Sequence, residues 1–486
     1  MKISSQNSVL TGRVSVPGSK SHTIRALILA SLAEGTSHIK NPLPSNDCLS
    51  TVQAVKQIGA EVIVPGALEG GTDAAGKADG TARPGKADAA GKADAAGKAD
   101  GVEGADSPAV WTVHGAGKNL HLPKGLIDVG NSGSLMYFLC PVLSTLSGEC
   151  TFTGDESICR RPVNHLIDAL NQLGANASCL EKGSVTPPFK FCGPIDVNKT
   201  LTTDGKLSQY ISGFMMATSR LNGTLHINLT APKETPYLTM TKIWLESVGV
   251  PCTISEDFKK ITVTGPVEIK AFDKTVPSDW EAVAFPLVAA LVSGSTVVIE
   301  GIDGSGSQGD DKIVEVLQSV GADIEWNKAD CTLTVRGKKG GTGLSAKNLP
   351  NGEFRVTISP FPDAICALAV AACFIEGTTV ITDVEICRKK ETDRIEAMKT
   401  ELCKLGASVE EGDDCLIIHG HEGGKGLHGG EVESYKDHRI AMSLACLGLG
   451  LPAGESVLIN DAECCSVSFP HFFEVMNGIG AGFKEV

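Results

Sequence analysis

The sequence predicts an α/β protein assembled from six copies of one mixed unit, and two recurring signatures carry that prediction. The first is a helix exit: an apolar residue, two variable ones, another apolar residue and then glycine. It occurs in VKQIGAEV, LNQLGANA, LESVGVPC, LQSVGADI, LCKLGASV and MNGIGAGF, at Gly59, Gly174, Gly249, Gly321, Gly406 and Gly480. The second is a glycine 24 to 29 residues earlier that opens a β-branched run, at Gly35, Gly148, Gly223, Gly294, Gly377 and Gly454. Glycine after a periodic apolar run fits a left-handed helix cap, and alternating β-branched residues fit a strand.

At the N-terminus a short strand marked by Val14 and Val16 runs into VPGSKSHTIRA and then the apolar helix ALILASLA. Lys20 lies between two serines and Arg25 follows five residues later, which suits an anion. The turn lacks the paired glycines of a nucleotide phosphate loop, so it does not read as an ATP or GTP site. Successive helix-exit glycines are 72 to 85 residues apart except for the first interval, which is 115. The excess falls in residues 66–108, where GKAD recurs four times without an aromatic residue. Such a tract has almost nothing to bury and reads as a solvated, poorly ordered surface loop that arose by repeat slippage.

Next comes DVGNSGSLM, a turn with Gly130, Asn131 and Gly133 ahead of an apolar helix. Its N–H groups can face an anion, although helix starts commonly use Asn, Ser and Gly as caps. CRRPVNHLIDAL places Arg160 and Arg161 before a proline suited to a helix's first turn; the pair is either surface charge or a fork for carboxylate or phosphate. In LSQYISGFMMA, Ser208 and Gln209 open a helix as caps or as ligands of a polyol phosphate. In FPDAICALAV, Asp363 is a cap or a carboxylate base. CRKKETDRIEAM then carries Lys389, Lys390, Glu391, Asp393 and Arg394, a charged helix entrance with Thr392 or Asp393 as cap. YKDHRIAMSLA adds Lys436, His438 and Arg439 before the last apolar helix.

Composition bounds the function. A chain of 486 residues that is 42% hydrophobic can bury large cores and should form two or more domains. No apolar run reaches the roughly 18 residues of a membrane span, and MKISSQNSVL lacks the pattern of a signal peptide, so a cytosolic protein is expected. The 16 cysteines show no CxxC pair and no metal-ligand clustering, which argues against a disulfide framework or zinc site. A formal charge of −14 argues against nucleic acid as a partner, so anionic ligands require a local cationic pocket. Lys20, Arg25, Arg161, Lys390, Arg394 and Arg439 all lie near strand-to-helix turns of the repeated units. Symmetric packing would bring them, several helix N-termini, Asp363 and Glu391 to one cleft fit for a pair of polyanionic ligands.

The motifs PGSKSxxxRA, GNSG, RRPxxHLIDAL, SQY, PDA, KETDRI and DHRIAMSLA occur in the order and spacing of the 5-enolpyruvylshikimate-3-phosphate synthases, which this chain resembles outside residues 66–108. Related transferases acting on UDP-N-acetylglucosamine carry Lys-Asn where this chain has Lys20-Ser21, and they lack KETDR. The resemblance implies two globular domains, each of three βαβαββ units, forming an inside-out α/β barrel with two chain crossings. It places one domain at 18–274, with the 66–108 insertion and much of the shikimate 3-phosphate site. Residues 1–17 and 275–486 form the other, with the acid/base residues and part of the phosphoenolpyruvate site.

The implied reaction transfers the enolpyruvyl group of phosphoenolpyruvate to the 5-hydroxyl of shikimate 3-phosphate through a tetrahedral intermediate that expels phosphate. By the same match, Asp363 is the base, Glu391 the proton donor, and Lys20 aids proton transfer and neutralises charge. Lys20, Ser21, Arg25, Ser208, Gln209, Asp363 and Lys390 hold shikimate 3-phosphate; Lys20, Gly133, Arg161, Gln209, Arg394 and Arg439 hold phosphoenolpyruvate. No metal or organic cofactor is implied, and the expected state is a monomer. The chain departs from the pattern at Leu207 and Glu234, where the family uses serines. Val467 stands where some members have lysine, and Tyr137 and Phe138 replace an Arg-Pro pair. An unsubstituted Gly133 points towards sensitivity to glyphosate, a phosphoenolpyruvate mimic. Two other readings are a UDP-N-acetylglucosamine enolpyruvyl transferase and a silent relative that only binds phosphorylated ligands.

Overall fold

A computed structural model describes residues 1–65, 109–338 and 342–486 of the chain; the loop expected at 66–108 lies outside them. The second unit shows the repeat in its plain form. Strand Ile127–Asp128 leads through helix Gly133–Leu143 to strand Gly148–Thr153, and helix Asn164–Gln172 leads on to strands Asn176–Cys179 and Phe189–Gly193. The first two strands pair in parallel and the last two add antiparallel, giving spatial order one, two, four, three. All six sheets among the described residues are four-stranded with this pattern.

The signature glycines behave as expected. All twelve have positive φ, from 64° to 150°, so each helix exit and strand opening uses backbone that other residues adopt at a cost. The strands alternate, as in Gly223–Leu229, where Leu225, Ile227 and Leu229 are buried while the residues between them face outward. Helix Trp280–Val292 is buried at every position, and helices Ile365–Cys373 and His438–Leu449 pack against it. A helix apolar all round must lie inside, so the sheets form the outer layer and the helices the centre.

The units do not follow one another simply along the chain. Strand Thr11–Ser15 pairs in parallel with Thr296–Glu300 and so opens the fourth sheet, although the next helix in sequence, Lys20–Leu32, belongs to the first. The first sheet is opened instead by Asp273–Thr275, parallel to Thr36–Lys40. Strand Ile3–Gln6 closes the sixth sheet between Ser456–Asn460 and Lys484–Glu485. Buried apolar residues accordingly fall into two cores. One joins Ile3 to Val16 with Trp280 to Phe483, and the other runs from Ile24 to Val276.

All sixteen cysteines are free thiols and nine of them are buried as small core residues. No helix of the described residues is long and apolar enough to cross a membrane.

In the second core, helix Ser208–Ala217 lies against Gly133–Leu143 so closely that a Cβ on Gly213 would come 2.2 Å from the Tyr137 carbonyl oxygen. The same contact fixes the two helix starts that carry Gly133 and Ser208. Gly213→Ala is therefore expected to cost about 1–3 kcal/mol of stability by overpacking, read from a denaturant midpoint. An unchanged midpoint would contradict the packing described.

Candidate active site

The inner helices aim their first turns at one cavity of about 380 Å³. Lys20 and Ser21, Gly133 and Ser134, Ser208 and Gln209, Glu281 and Arg439 all line it from helix starts. Arg25, Arg161, Asp363, Lys390 and Glu391 complete the set of expected residues on its wall. Only Arg394, of the twelve site residues the resemblance implies, lies behind the wall rather than on it.

Arg394 is fully buried at the first position of helix Arg394–Lys404, whose start is capped by the Asp393 carboxylate on the Ile395 and Glu396 N–H groups. Its guanidinium donates to Asp363 Oδ1 at 2.5 Å, Glu391 Oε2 at 2.7 Å and Asp437 Oδ2 at 2.8 Å. Burial opposes ionisation of Asp363, but Lys390 and Arg394 outweigh it and hold the group below the usual carboxylate range. Burial likewise opposes ionisation of Glu391, yet Arg394 and Arg161 pull it well below that range. Burial acts against the Lys390 ammonium too, and Asp363 and Glu234 overcome it, so this group stays charged. Both carboxylates are thus anions at neutral pH.

The opposite wall carries two guanidinium groups without such partners, Arg25 and Arg161, and a lysine with one. Arg25 is buried, with Nε donating to Thr241 Oγ1 at 2.9 Å and Nη1 to the Ser21 carbonyl at 3.0 Å, and its guanidinium stacks on Phe138. Burial pushes its pKa down to about 9, and no carboxylate among the described residues pairs with it. Arg161 donates to Ser157 Oγ at 3.0 Å, while its buried Nε has no partner. A Cβ on Gly133 would approach Arg161 Nη1 to 3.2 Å, so glycine leaves the guanidinium its place over the helix start. Lys20 Nζ lies 3.5 Å from Asp47 Oδ2, and burial raises the Asp47 carboxyl against the pull of Lys20.

Several side chains here lie outside the expected set. Tyr237 OH lies within 3.0 Å of Glu281 Oε1, 3.3 Å of Asp310 Oδ2 and 3.5 Å of Asp363 Oδ2. Glu281 also pairs with the Arg439 guanidinium. Burial, then Asp363 and Asp279, push Asp310 well above the carboxylate range, so it stays protonated in this acidic group. Both nitrogens of buried His438 lack partners, and burial pushes its pKa down to about 4, which keeps it neutral. In the sequence, Asp437 and His438 stood beside Arg439 in one motif; Glu281 offered only an acid just inside an apolar helix.

Helices inside, sheets outside and a cleft ringed by helix starts and cations define the class of enolpyruvyl transferases. The sequence profile described as EPSP synthase (3-phosphoshikimate 1-carboxyvinyltransferase) matches residues 5–70 and 98–476, and the chain belongs to that family. A 3-phosphoshikimate 1-carboxyvinyltransferase of Ruminiclostridium cellulolyticum is 32% identical over 481 residues, 99% of each chain. One from Acetivibrio thermocellus is also 32% identical, again over 99% of each chain. Among solved structures, an EPSP synthase from Acinetobacter baumannii superposes with a TM-score of 0.73 at 26% identity, covering 99% of both chains. The enolpyruvyl transferase NikO from Streptomyces tendae shares the fold, with a TM-score of 0.72 at 15% identity over 100% of this chain and 98% of its own.

Removing Arg394 would take the cation from Glu391 and Asp437 in a desolvated place and leave Asp363 with only the more distant Lys390 and Arg439. Arg394→Met is expected to cost about 3–5 kcal/mol in denaturant unfolding. A loss below about 1 kcal/mol would show that the cluster is neutralised by other means.

Proposed function

We propose that carboxyvinyl transfer from phosphoenolpyruvate to the 5-hydroxyl of shikimate 3-phosphate runs on the cavity residues in the following roles. The observation that carries the assignment is the pair of guanidinium groups, Arg25 and Arg161, that face the cavity with no carboxylate within ion-pair distance among the described residues. A buried cation of this kind is stabilised by an anionic ligand, and two such cations suit two anionic substrates.

Shikimate 3-phosphate is held by Ser21, Arg25, Ser208, Gln209 and Lys390, with its 5-hydroxyl on Asp363. Phosphoenolpyruvate lies between Gly133, Arg161 and Arg439, and Lys20 and Gln209 reach both ligands. Asp363, already an anion, accepts the hydroxyl proton as that oxygen bonds to C2 of phosphoenolpyruvate. Glu391 gives a proton to C3, so the methylene becomes a methyl group in the tetrahedral intermediate. Glu391, now a carboxylate again, takes a proton back from the C3 methyl group as phosphate departs from C2, which restores the vinyl group. Lys20 offsets the charge that accumulates on the leaving phosphate.

Glu391 is ionised while Arg394 pairs with it and Arg161 adds its field from beyond pairing distance, and an anion cannot donate a proton. The carboxylate of phosphoenolpyruvate competes for those same guanidinium groups. As it takes them over, Glu391 loses its stabilising cations beside a multiply charged ligand, its pKa rises and it gains the proton it later donates. Arg394 thereby exchanges a protein carboxylate for a substrate carboxylate. Sixteen free thiols fit the reducing cytoplasm. Glyphosate, with the charges of phosphoenolpyruvate, would compete for Arg161 beside Gly133.

The test is phosphate release from phosphoenolpyruvate, run with shikimate 3-phosphate and, in parallel, with UDP-N-acetylglucosamine. Release is expected only with the first. Lys20→Ala and Arg161→Ala should each lower kcat/KM by about 10²–10³, the size of effect that follows loss of one preorganised charge. Release with UDP-N-acetylglucosamine alone, or with neither acceptor, would overturn the assignment.

A further inference from the structure

The cavity contains an oxyanion seat that the chain itself fills. Glu234 is buried at 2% exposure, at the residue before helix Thr235–Ser247. Its Oε2 accepts the Ser208 backbone N–H at 3.1 Å and the Ser208 hydroxyl at 3.0 Å, and its Oε1 accepts the Lys390 ammonium at 3.0 Å. An N–H at the start of a ten-residue helix, a hydroxyl and a buried ammonium are the donor set that would hold a phosphate. Glu234 is held there by the backbone as well, at φ 50° and ψ 35°, a left-handed conformation that a glutamate adopts at a cost.

The neighbouring lysines offer no alternative seat. Lys206 pairs with Glu385, Lys233 with Asp383, and Lys389 with Glu385. The Leu207 side chain, before Ser208, contributes no polar atom. A phosphate at this end of the cavity therefore meets donors already committed to a carboxylate.

We propose that Glu234 is a specificity-determining residue that occupies the seat of the acceptor's phosphate, so that a phosphorylated acceptor binds only by displacing it from Ser208 and Lys390. The inference rests on the reading of the acceptor as shikimate 3-phosphate. It makes Glu234 a built-in competitor: the cost of separating the carboxylate from its three donors is subtracted from the affinity for any phosphorylated ligand. An acceptor lacking the phosphate escapes that cost and also forgoes the contacts.

Calorimetric titration of the whole chain with inorganic phosphate, shikimate 3-phosphate and shikimate tests this in the wild type, Glu234→Gln and Glu234→Ser. Removing one buried negative charge beside a bound dianion should tighten both phosphate ligands by about tenfold or more. Binding of shikimate should change by less than about twofold, and KM for shikimate 3-phosphate should fall while KM for phosphoenolpyruvate stays in place. Glu234→Gln keeps the shape of the side chain and serves alone if the serine variant does not fold. Unchanged or weaker binding of both phosphate ligands would overturn the proposal and make Glu234 a support for Lys390. A wild type that binds these ligands but releases no phosphate with shikimate 3-phosphate would count against the acceptor assignment, whatever the variants bind.

Discussion

The arrangement of this site depends on one buried guanidinium. Arg394 gathers Asp363, Glu391 and Asp437 from three different stretches of chain and supplies each carboxylate with a cation in its desolvated place. The consequence reaches beyond stability. It holds together the two carboxylates assigned to acid/base work and, with Lys390 and Arg161, keeps both as anions. Asp363 is thereby ready to accept a proton, whereas Glu391 is in the wrong state to give one. On the proposed roles, the partners of Arg394 must change before Glu391 can donate, and a substrate carboxylate is the natural agent of that exchange.

The fold explains why so much charge can stand in one place. Six units with their helices inside put the starts of inner helices around a common cleft, where N–H groups and dipoles favour anions. The two cores are stitched by exchanged strands, with Thr11–Ser15 in the fourth sheet and Asp273–Thr275 in the first. Lys390 in one core's territory meets Glu234 in the other's, so the cleft is an interface as well as a site. A chain with net charge −14 concentrates its cations there against its overall field.

Much of this was legible in the sequence because repeats are. Glycine at a left-handed cap has a strict backbone reason, so six of them at near-constant spacing revealed the unit before any packing was known. Cations near helix starts could be named for the same reason, since their positions within the unit coincide. The exchange of strands among the first, fourth and sixth sheets was not legible from periodicity, because alternation marks a strand without naming its partner. Partnership was hidden too. Glu281, Tyr237 and Asp310 come from separate stretches, and only folding shows that they meet beside Asp363. Arg394 read as one more cleft cation, whereas its surroundings make it a buried hub.

The central claim is that phosphoenolpyruvate takes Arg394 and Arg161 from Glu391 and so loads the acid. The direct measurement is the number of protons taken up when phosphoenolpyruvate binds in the presence of shikimate 3-phosphate, obtained by calorimetry in buffers of different ionisation enthalpy. A rapid-mixing measurement of the binding phase keeps it separate from turnover. Uptake of about one proton is expected near neutral pH, absent in Glu391→Gln, because a carboxyl held below its ordinary range in the free protein is released on binding. Uptake of no proton, or the same uptake in Glu391→Gln, would contradict it.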